Sequence, residues 1–432
     1  MSRVNFDDGM QYHTLFDEPG HYPFGIGSPS QKFLKEAAVL MKQAANWKLD
    51  KEIERTEGRL MQYGATYGDT DYLDALRDFL AAQYRDEKVS RKHLVQTAGA
   101  TTALTTLLNQ MFCENTIVYC EQMTYFLAAE IFRKHGYDVK GIDLERDNGI
   151  DIGFAEPIMQ NTFTPTQMNA DLDAGRFTSI FYLIPVYQNP VGAVLSEVKK
   201  QRLLEMARKR NILIVCDDIY NMFNYEGPPV ERLFAYDQRT KGNRRGHVVS
   251  NGSFSKILAP GLRLGWMELP EEIKEQYFYR SPVLISSGSL NTFTGGLVTE
   301  LLQRDLIRPH VEKLRVEQAE KMRILIAELQ KNLPDDCSIL CKPKGGYFLV
   351  VQLPSRIPCV PFCEHMWNSF RLSIHAGTKF VPEDKVYKLN FLQNCFRMSI
   401  AYIETNRIVP GVKILCKELA NYVPNPEDSS PE

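Results

Sequence analysis

The sequence predicts an α/β protein, with a large domain on a mostly parallel sheet flanked by helices and a smaller α+β domain after it. From about residue 90 to 270, short β-rich runs alternate with helical patterns, the texture of strand–helix–strand units. One of these runs, Ile212-Leu213-Ile214-Val215-Cys216, is apolar without interruption, as a strand covered on both faces must be. Beyond residue 305 the alternation gives way to one long charged helical pattern and two strand-like segments.

Taken in order, the first 45 residues are too few to bury a core alone and are expected to pack with the small domain. The large domain is drawn over 46–305 and the small one over 306–432. Strands are expected at 94–97, 116–120, 179–185, 212–217, 248–250 and 264–269. Residues 197–210 read as a helix capped by Ser196, with Leu203, Leu204 and Ala207 on one face. A long helix is expected over 308–331, offering Leu314, Ile324, Leu325 and Leu329 to its neighbours. The last eight residues, NPEDSSPE, read as a frayed tail.

Composition narrows the function. Of the 432 residues, 44% are hydrophobic and 24% charged, which excludes a generally disordered chain. Lysine and arginine number 51 against 53 acids, so the basic excess of a nucleic-acid binder is missing. No stretch approaches the ~20 consecutive apolar residues of a membrane helix. The acidic start lacks the apolar run of a signal peptide, so a cytoplasmic location is expected and the nine cysteines read as thiols. Cys337 with Cys341, and Cys359 with Cys363, stand four apart rather than in the C-x-x-C spacing of zinc ribbons, so no metal is expected.

Four segments carry chemistry. In Ser253-Phe254-Ser255-Lys256, two hydroxyls precede a lysine, and Pro260-Gly261-Leu262-Arg263 follows in a turn between two strands. Hydroxyls and a guanidinium are phosphate-holding groups, and the lysine amine is a candidate Schiff-base former. Asp217, Asp218 and Tyr220 stand at the C-terminal end of the most apolar strand, the end where ligands of open α/β sheets bind. One of those carboxylates can be buried only with a cationic partner. Asn189-Pro190-Val191-Gly192 marks a turn after another strand. Gly99-Ala100-Thr101 leads from a strand into a helix, whose N-terminus makes a backbone anion site.

Together, and in the order in which they follow along the chain, these segments resemble the class I/II aminotransferases of the fold-type I pyridoxal-5′-phosphate enzymes, over nearly the whole chain from Phe24 to Ile400. The wording QNPVG, CDDIY and SFSKILAPGLRLGW is most similar to the 2-aminoadipate, kynurenine and aromatic amino-acid branch. The resemblance implies a large domain with a sheet of the seven-stranded type. It implies pyridoxal 5′-phosphate as cofactor and Lys256 as the lysine that binds it covalently. Asp217 would pair with the pyridine nitrogen, Asn189 and Tyr220 would bond the ring oxygen, and Tyr125 would stack on the ring. Ala100, Thr101, Ser253, Ser255 and Arg263 would hold the phosphate. Tyr63 would reach the partner subunit's phosphate in a homodimer with shared sites. Arg397 would clamp the substrate α-carboxylate, with the Gly27 backbone and Asn189 beside it. Many relatives have a glutamine pair where this chain has Thr101 and Thr102.

The reaction so implied passes an amino group from an L-amino acid, aromatic or 2-aminoadipate-like and broad in range, to a 2-oxo acid such as 2-oxoglutarate. A C–S lyase or an aminocyclopropane-carboxylate-synthase-like enzyme would use the same lysine, aspartate and arginine. An effector-binding transcription regulator built on this fold would carry an N-terminal DNA-binding helix-turn-helix, a reading not expected here from the short stretch before the Gly27 segment and the near-neutral charge.

Overall fold

The computed structural model describes residues 20–55, 58–145, 149–160, 171, 174–242, 244–382 and 394–424. The expected C-terminal tail lies outside these residues. A central sheet has seven strands: β1 (Leu94–Thr97), β2 (Ile117–Glu121), β3 (Asp138–Ile142), β4 (Ser179–Leu183), β5 (Ile212–Asp217), β6 (Val248–Ser253) and β7 (Gly265–Glu268). Their order across the sheet is β1-β7-β6-β5-β4-β2-β3. Strands β2 to β6 run parallel, and β7 alone runs antiparallel to both its neighbours. The link from β6 to β7 is too short to carry a crossover helix, so the chain must turn back. That short link carries Lys256.

Strand β5 shows why the apolar run is continuous. Leu213 and Val215 enter the core on one face of the sheet, and Ile212, Ile214 and Cys216 enter the core on the other. Strand β3 was not expected. It is one of the two edge strands, and its Asp138 and Lys140 break the apolar pattern that marks the inner ones. Strand β6 extends past the expected residue 250 through Asn251, Gly252 and Ser253. Gly252 is required there, since a Cβ would lie 2.2 Å from the Trp266 ring on β7. Ser196 occupies the N-cap position of the helix Glu197–Arg210, but its side chain makes no capping bond.

The C-terminal unit is a four-stranded antiparallel sheet of β8 (Ser338–Ile339), β9 (Phe348–Gln352), β10 (His375–Ala376) and β11 (Cys395–Ser399), ordered β8-β9-β11-β10. The helices Cys359–Phe370 and Thr405–Asn421 supply its core with Phe362, Met366, Val412 and Leu415. The long helix Ile307–Asn332 joins the two cores. Its Ile307, Val311 and Leu314 belong to the large core, and its Met322, Leu325 and Leu329 to the small one.

The N-terminal segment divides in the same way. Tyr22–Pro23 pairs with Leu372–Ser373 and Phe24 is buried in the small core. Helix Gln31–Arg55 then places Phe33, Ala37 and Ala44 in the large core. A boundary at residue 45 therefore cuts through one continuous helix, and the described residues before it, 20–45, pack on both units rather than on the small domain alone.

Candidate active site

The C-terminal ends of β4 and β5, the turn after β6 and the start of the helix Ala100–Met111 enclose a cavity of about 160 Å³. Ala100, Thr101, Tyr125, Asn189, Asp217, Tyr220, Ser253, Ser255, Lys256 and Arg263 all line it. Gly27 and Arg397 join through direct bonds to lining residues. Lys256 Nζ donates to the Gly27 carbonyl at 2.6 Å, and Arg397 Nη1 donates to Asn189 Oδ1 at 3.0 Å. Tyr63 is the expected site residue that stands apart. It is 75% exposed and lies outside the lining of its own chain's cavity.

At one end the cavity is built for an anion. The helix Ala100–Met111 starts at Gly99 with no side-chain cap, leaving its first N–H groups for a ligand. Ser253 Oγ donates to Ser255 Oγ at 2.8 Å, and Arg263 Nη1 lies 3.5 Å from the same Ser255 oxygen. Gly99 has φ +91°, and a Cβ there would come within 2.8 Å of Arg263 Nη2. Glycine therefore satisfies the backbone angle and keeps the guanidinium's space. Thr101 and Thr102 leave this backbone anion site intact.

At the other end lie the titratable groups. Burial pushes the Lys256 amine down to about 8, and the positive charge of Arg397 acts in the same direction. Burial raises the Asp217 carboxyl to about 6, against a hydrogen bond from Tyr182. Asp217 Oδ1 is buried without a hydrogen-bond partner. Asp218, the neighbouring carboxylate, points elsewhere and accepts from Ser250. Arg397, on β11, lies between the rings of Phe348 and Phe380, at 4.2 and 4.8 Å from their centroids. Its Nη2 donates to the Gly25 carbonyl at 2.7 Å.

Sequence reasoning missed Tyr182, Phe348 and Phe380. A tyrosine inside a wholly buried strand was the available signal for the first, because a buried phenol needs a partner. A larger and more open depression of about 850 Å³ lies along Tyr67, Arg77 and Arg91. Its exposed cations are matched within the chain, Arg77 and Arg91 by Asp74 and Lys92 by Glu271. Among the described residues no group of three or more His, Cys, Asp or Glu is placed to hold a metal, and no helix is long and apolar enough to cross a membrane.

A lysine, a buried carboxylate and a phosphate-type cradle at the C-terminal edge of a seven-stranded sheet define a cofactor-dependent group-transfer enzyme. The pattern of the family described as aminotransferase class I and II matches residues 24–413, and the chain belongs to that family. It is 26% identical over 368 residues to aromatic-amino-acid aminotransferase 1 of Thermococcus litoralis, covering 85% of this chain and 82% of that one. It is also 26% identical over 408 residues to 2-aminoadipate transaminase of Thermus thermophilus, covering 94% and 91%. The fold is shared with Pyrococcus horikoshii kynurenine aminotransferase at a TM-score of 0.78, 22% identity and coverage of 98% and 96%.

The chain is thus a transaminase acting on amino acids and 2-oxo acids, with pyridoxal 5′-phosphate as cofactor. The residues present fit that group. The amine, the open carboxylate oxygen of Asp217 and the uncapped helix start stand in one cavity, and Gly99 keeps its anion end clear.

Proposed function

We propose that this aminotransferase takes its amino group from aromatic or 2-aminoadipate-like L-amino acids, over a broad range, and passes it to a 2-oxo acid such as 2-oxoglutarate. The observation that carries the residue assignments is the convergence of Lys256, Asp217 and Arg397, from the turn after β6, the end of β5 and the small domain. The donor class is supported by relatives named for aromatic amino acids and for 2-aminoadipate.

In this reading Lys256 would hold the cofactor covalently and Asp217 would pair with its ring nitrogen. Asn189 and Tyr220 would bond the ring oxygen, and Tyr125 would lie against the ring. Ala100, Thr101, Ser253, Ser255 and Arg263 would hold the phosphate. When bound, the cofactor supplies the electron sink that lets a bond at the substrate Cα break. Arg397 offers the α-carboxylate two parallel N–H donors, which fix the direction of the Cα–H bond. The Gly27 backbone and Asn189 lie beside that carboxylate. Once the substrate's own amino group has taken its place on the cofactor, Lys256 is again a free amine, neutral over a wider pH range than an exposed lysine, and can take the Cα proton as a base.

The enzyme works as a homodimer in which Tyr63 reaches the phosphate in the partner subunit's site. The two-unit division, with the long helix Ile307–Asn332 as its connection, belongs to the same reading. So does a cytoplasmic location, in keeping with nine cysteines that read as thiols rather than disulfides.

The deciding experiment is an amino-donor screen of purified holoenzyme with 2-oxoglutarate as acceptor, reading 2-oxo acid and glutamate together. Equal yields from aromatic donors and 2-aminoadipate support the proposal. Release of ammonia and a 2-oxo acid without any acceptor would assign the site to elimination instead.

A further inference from the structure

We propose that Tyr182 is a positioning residue for Asp217, fixing one carboxylate oxygen so that the other is presented to the ring nitrogen of the cofactor. This inference rests on the role given to Asp217 above.

Tyr182 lies in β4, where every residue is buried, and is 1% exposed. Its hydroxyl donates to Asp217 Oδ2 at 2.7 Å. The register explains the reach. Tyr182 pairs with Val215 on β5, and Val215 and Asp217 share a face because side chains alternate along a strand. Phe132 packs against the phenol ring edge-on at 5.3 Å, so the ring has little freedom to swing away. With Oδ2 held by Tyr182, the other oxygen is the one left buried without a partner. Both residues line the cavity that holds Lys256.

Electrostatics calls for a donor at this place. Burial acts first on Asp217 and raises its carboxyl, the Tyr182 bond opposes that, Asp218 adds to it, and Lys256 opposes it. Glu121, at the end of β2, is a further buried carboxyl facing the pair, and burial raises it to about 8, so near pH 7 it is largely uncharged. Tyr182 itself is pushed well above the usual phenol range, by burial and then by the Asp217 charge, so it stays a neutral O–H donor. Without that hydroxyl the carboxylate would lose its side-chain donor, keeping only the weaker backbone bond from Ile219, and would hold its proton to higher pH.

The test compares Tyr182→Phe and Asp217→Asn with the wild-type holoenzyme. Phenylalanine keeps the ring against Phe132 and removes only the hydroxyl, and thermal melting of each variant checks the fold. Two quantities are read: the pH midpoint of the cofactor absorbance, and the affinity of apoenzyme for pyridoxal phosphate. For Tyr182→Phe, a midpoint displaced by about one pH unit and an affinity about 10-fold weaker are expected. In the same variant kcat should fall while KM for the amino donor stays near wild type. If Asp217→Asn alters both readouts and Tyr182→Phe alters neither, the positioning role is wrong and the Asp217 assignment stands. If Asp217→Asn alters neither, the Asp217 assignment fails and the inference fails with it.

Discussion

The amine of Lys256 donates to the carbonyl oxygen of Gly27 at 2.6 Å, joining the turn after β6 to the N-terminal segment. That approach requires a glycine, because a Cβ at position 27 would lie 2.8 Å from the Phe348 ring. The lysine is therefore aimed toward the side of the cavity where Arg397 and Asn189 meet. Replacing Lys256 by Ala should abolish transamination and leave no borohydride-trappable linkage to pyridoxal phosphate. Peptide mapping of reduced wild-type protein checks the assignment, and an adduct on any other lysine sinks it.

The lowered amine of Lys256 also sets a pH dependence. Only a neutral amine captures an aldehyde, and the neutral fraction rises through about pH 8 rather than through the range of an exposed lysine. The rate at which apoenzyme regains its cofactor should therefore rise by about tenfold per pH unit below 8 and level off above it. Stopped-flow absorbance at several pH values measures this. A rate still climbing at pH 10 would mean that the amine is not depressed.

Gly99→Ala tests the anion end. Its φ of +91° disfavours any residue with a Cβ, and the added methyl would press on Arg263 Nη2. Backbone strain of roughly 1–2 kcal/mol and a displaced guanidinium should together weaken cofactor binding by about 10-fold or more. Equilibrium dialysis against pyridoxal phosphate is the measurement. Pyridoxal without its phosphate should be affected much less, and an equal loss for both would show that the cradle does not hold the phosphate.

Much of this site was legible because its groups are local in sequence. Ser253, Ser255, Lys256 and Arg263 lie in one turn, and Asp217 and Tyr220 end the strand whose apolar run is the clearest in the chain. What stayed hidden depends on pairing across elements. Tyr182 acquires its role only when β4 aligns with β5, and Phe348 and Phe380 only when β9 and the segment after β10 fold over Arg397. The edge position of β3 was hidden by its solvent-facing charges, and the full length of β6 by three small or polar residues, of which Gly252 lies under Trp266 while Asn251 and Ser253 face the cavity.

The exposed surface around Tyr63 bears on the proposed dimer. Met61, Tyr63, Tyr279 and Ile285 are 71%, 75%, 59% and 57% exposed, and Gly64 and Gly288 bring their two segments into contact. Apolar side chains exposed together in this way suit the proposed contact with a second subunit. Tyr63→Ala and Lys256→Ala should each be inactive or nearly so when pure. Unfolded together and refolded, they should regain part of the wild-type rate, since a hybrid dimer contains one intact site. Sedimentation showing a fully active monomer would remove the shared-site reading.

Arg397→Lys is the most exacting test of the substrate's placement. Arg397 is 4% exposed, its guanidinium held between two aromatic rings, with Nη1 on Asn189 and Nη2 on Gly25. Lysine keeps the charge but lacks the planar fork, and an ammonium cannot stack between the rings in the same way. Losing one charge-assisted hydrogen bond, worth roughly 1.5–3 kcal/mol, corresponds to a fall in kcat/KM of about 10- to 150-fold. Because donor and acceptor share the α-carboxylate, the fall should be similar for aromatic donors, for 2-aminoadipate and for 2-oxoglutarate. Steady-state kinetics across these substrates decides the matter. A loss confined to substrates with acidic side chains would make Arg397 a side-chain specificity residue, and the α-carboxylate would then need another partner.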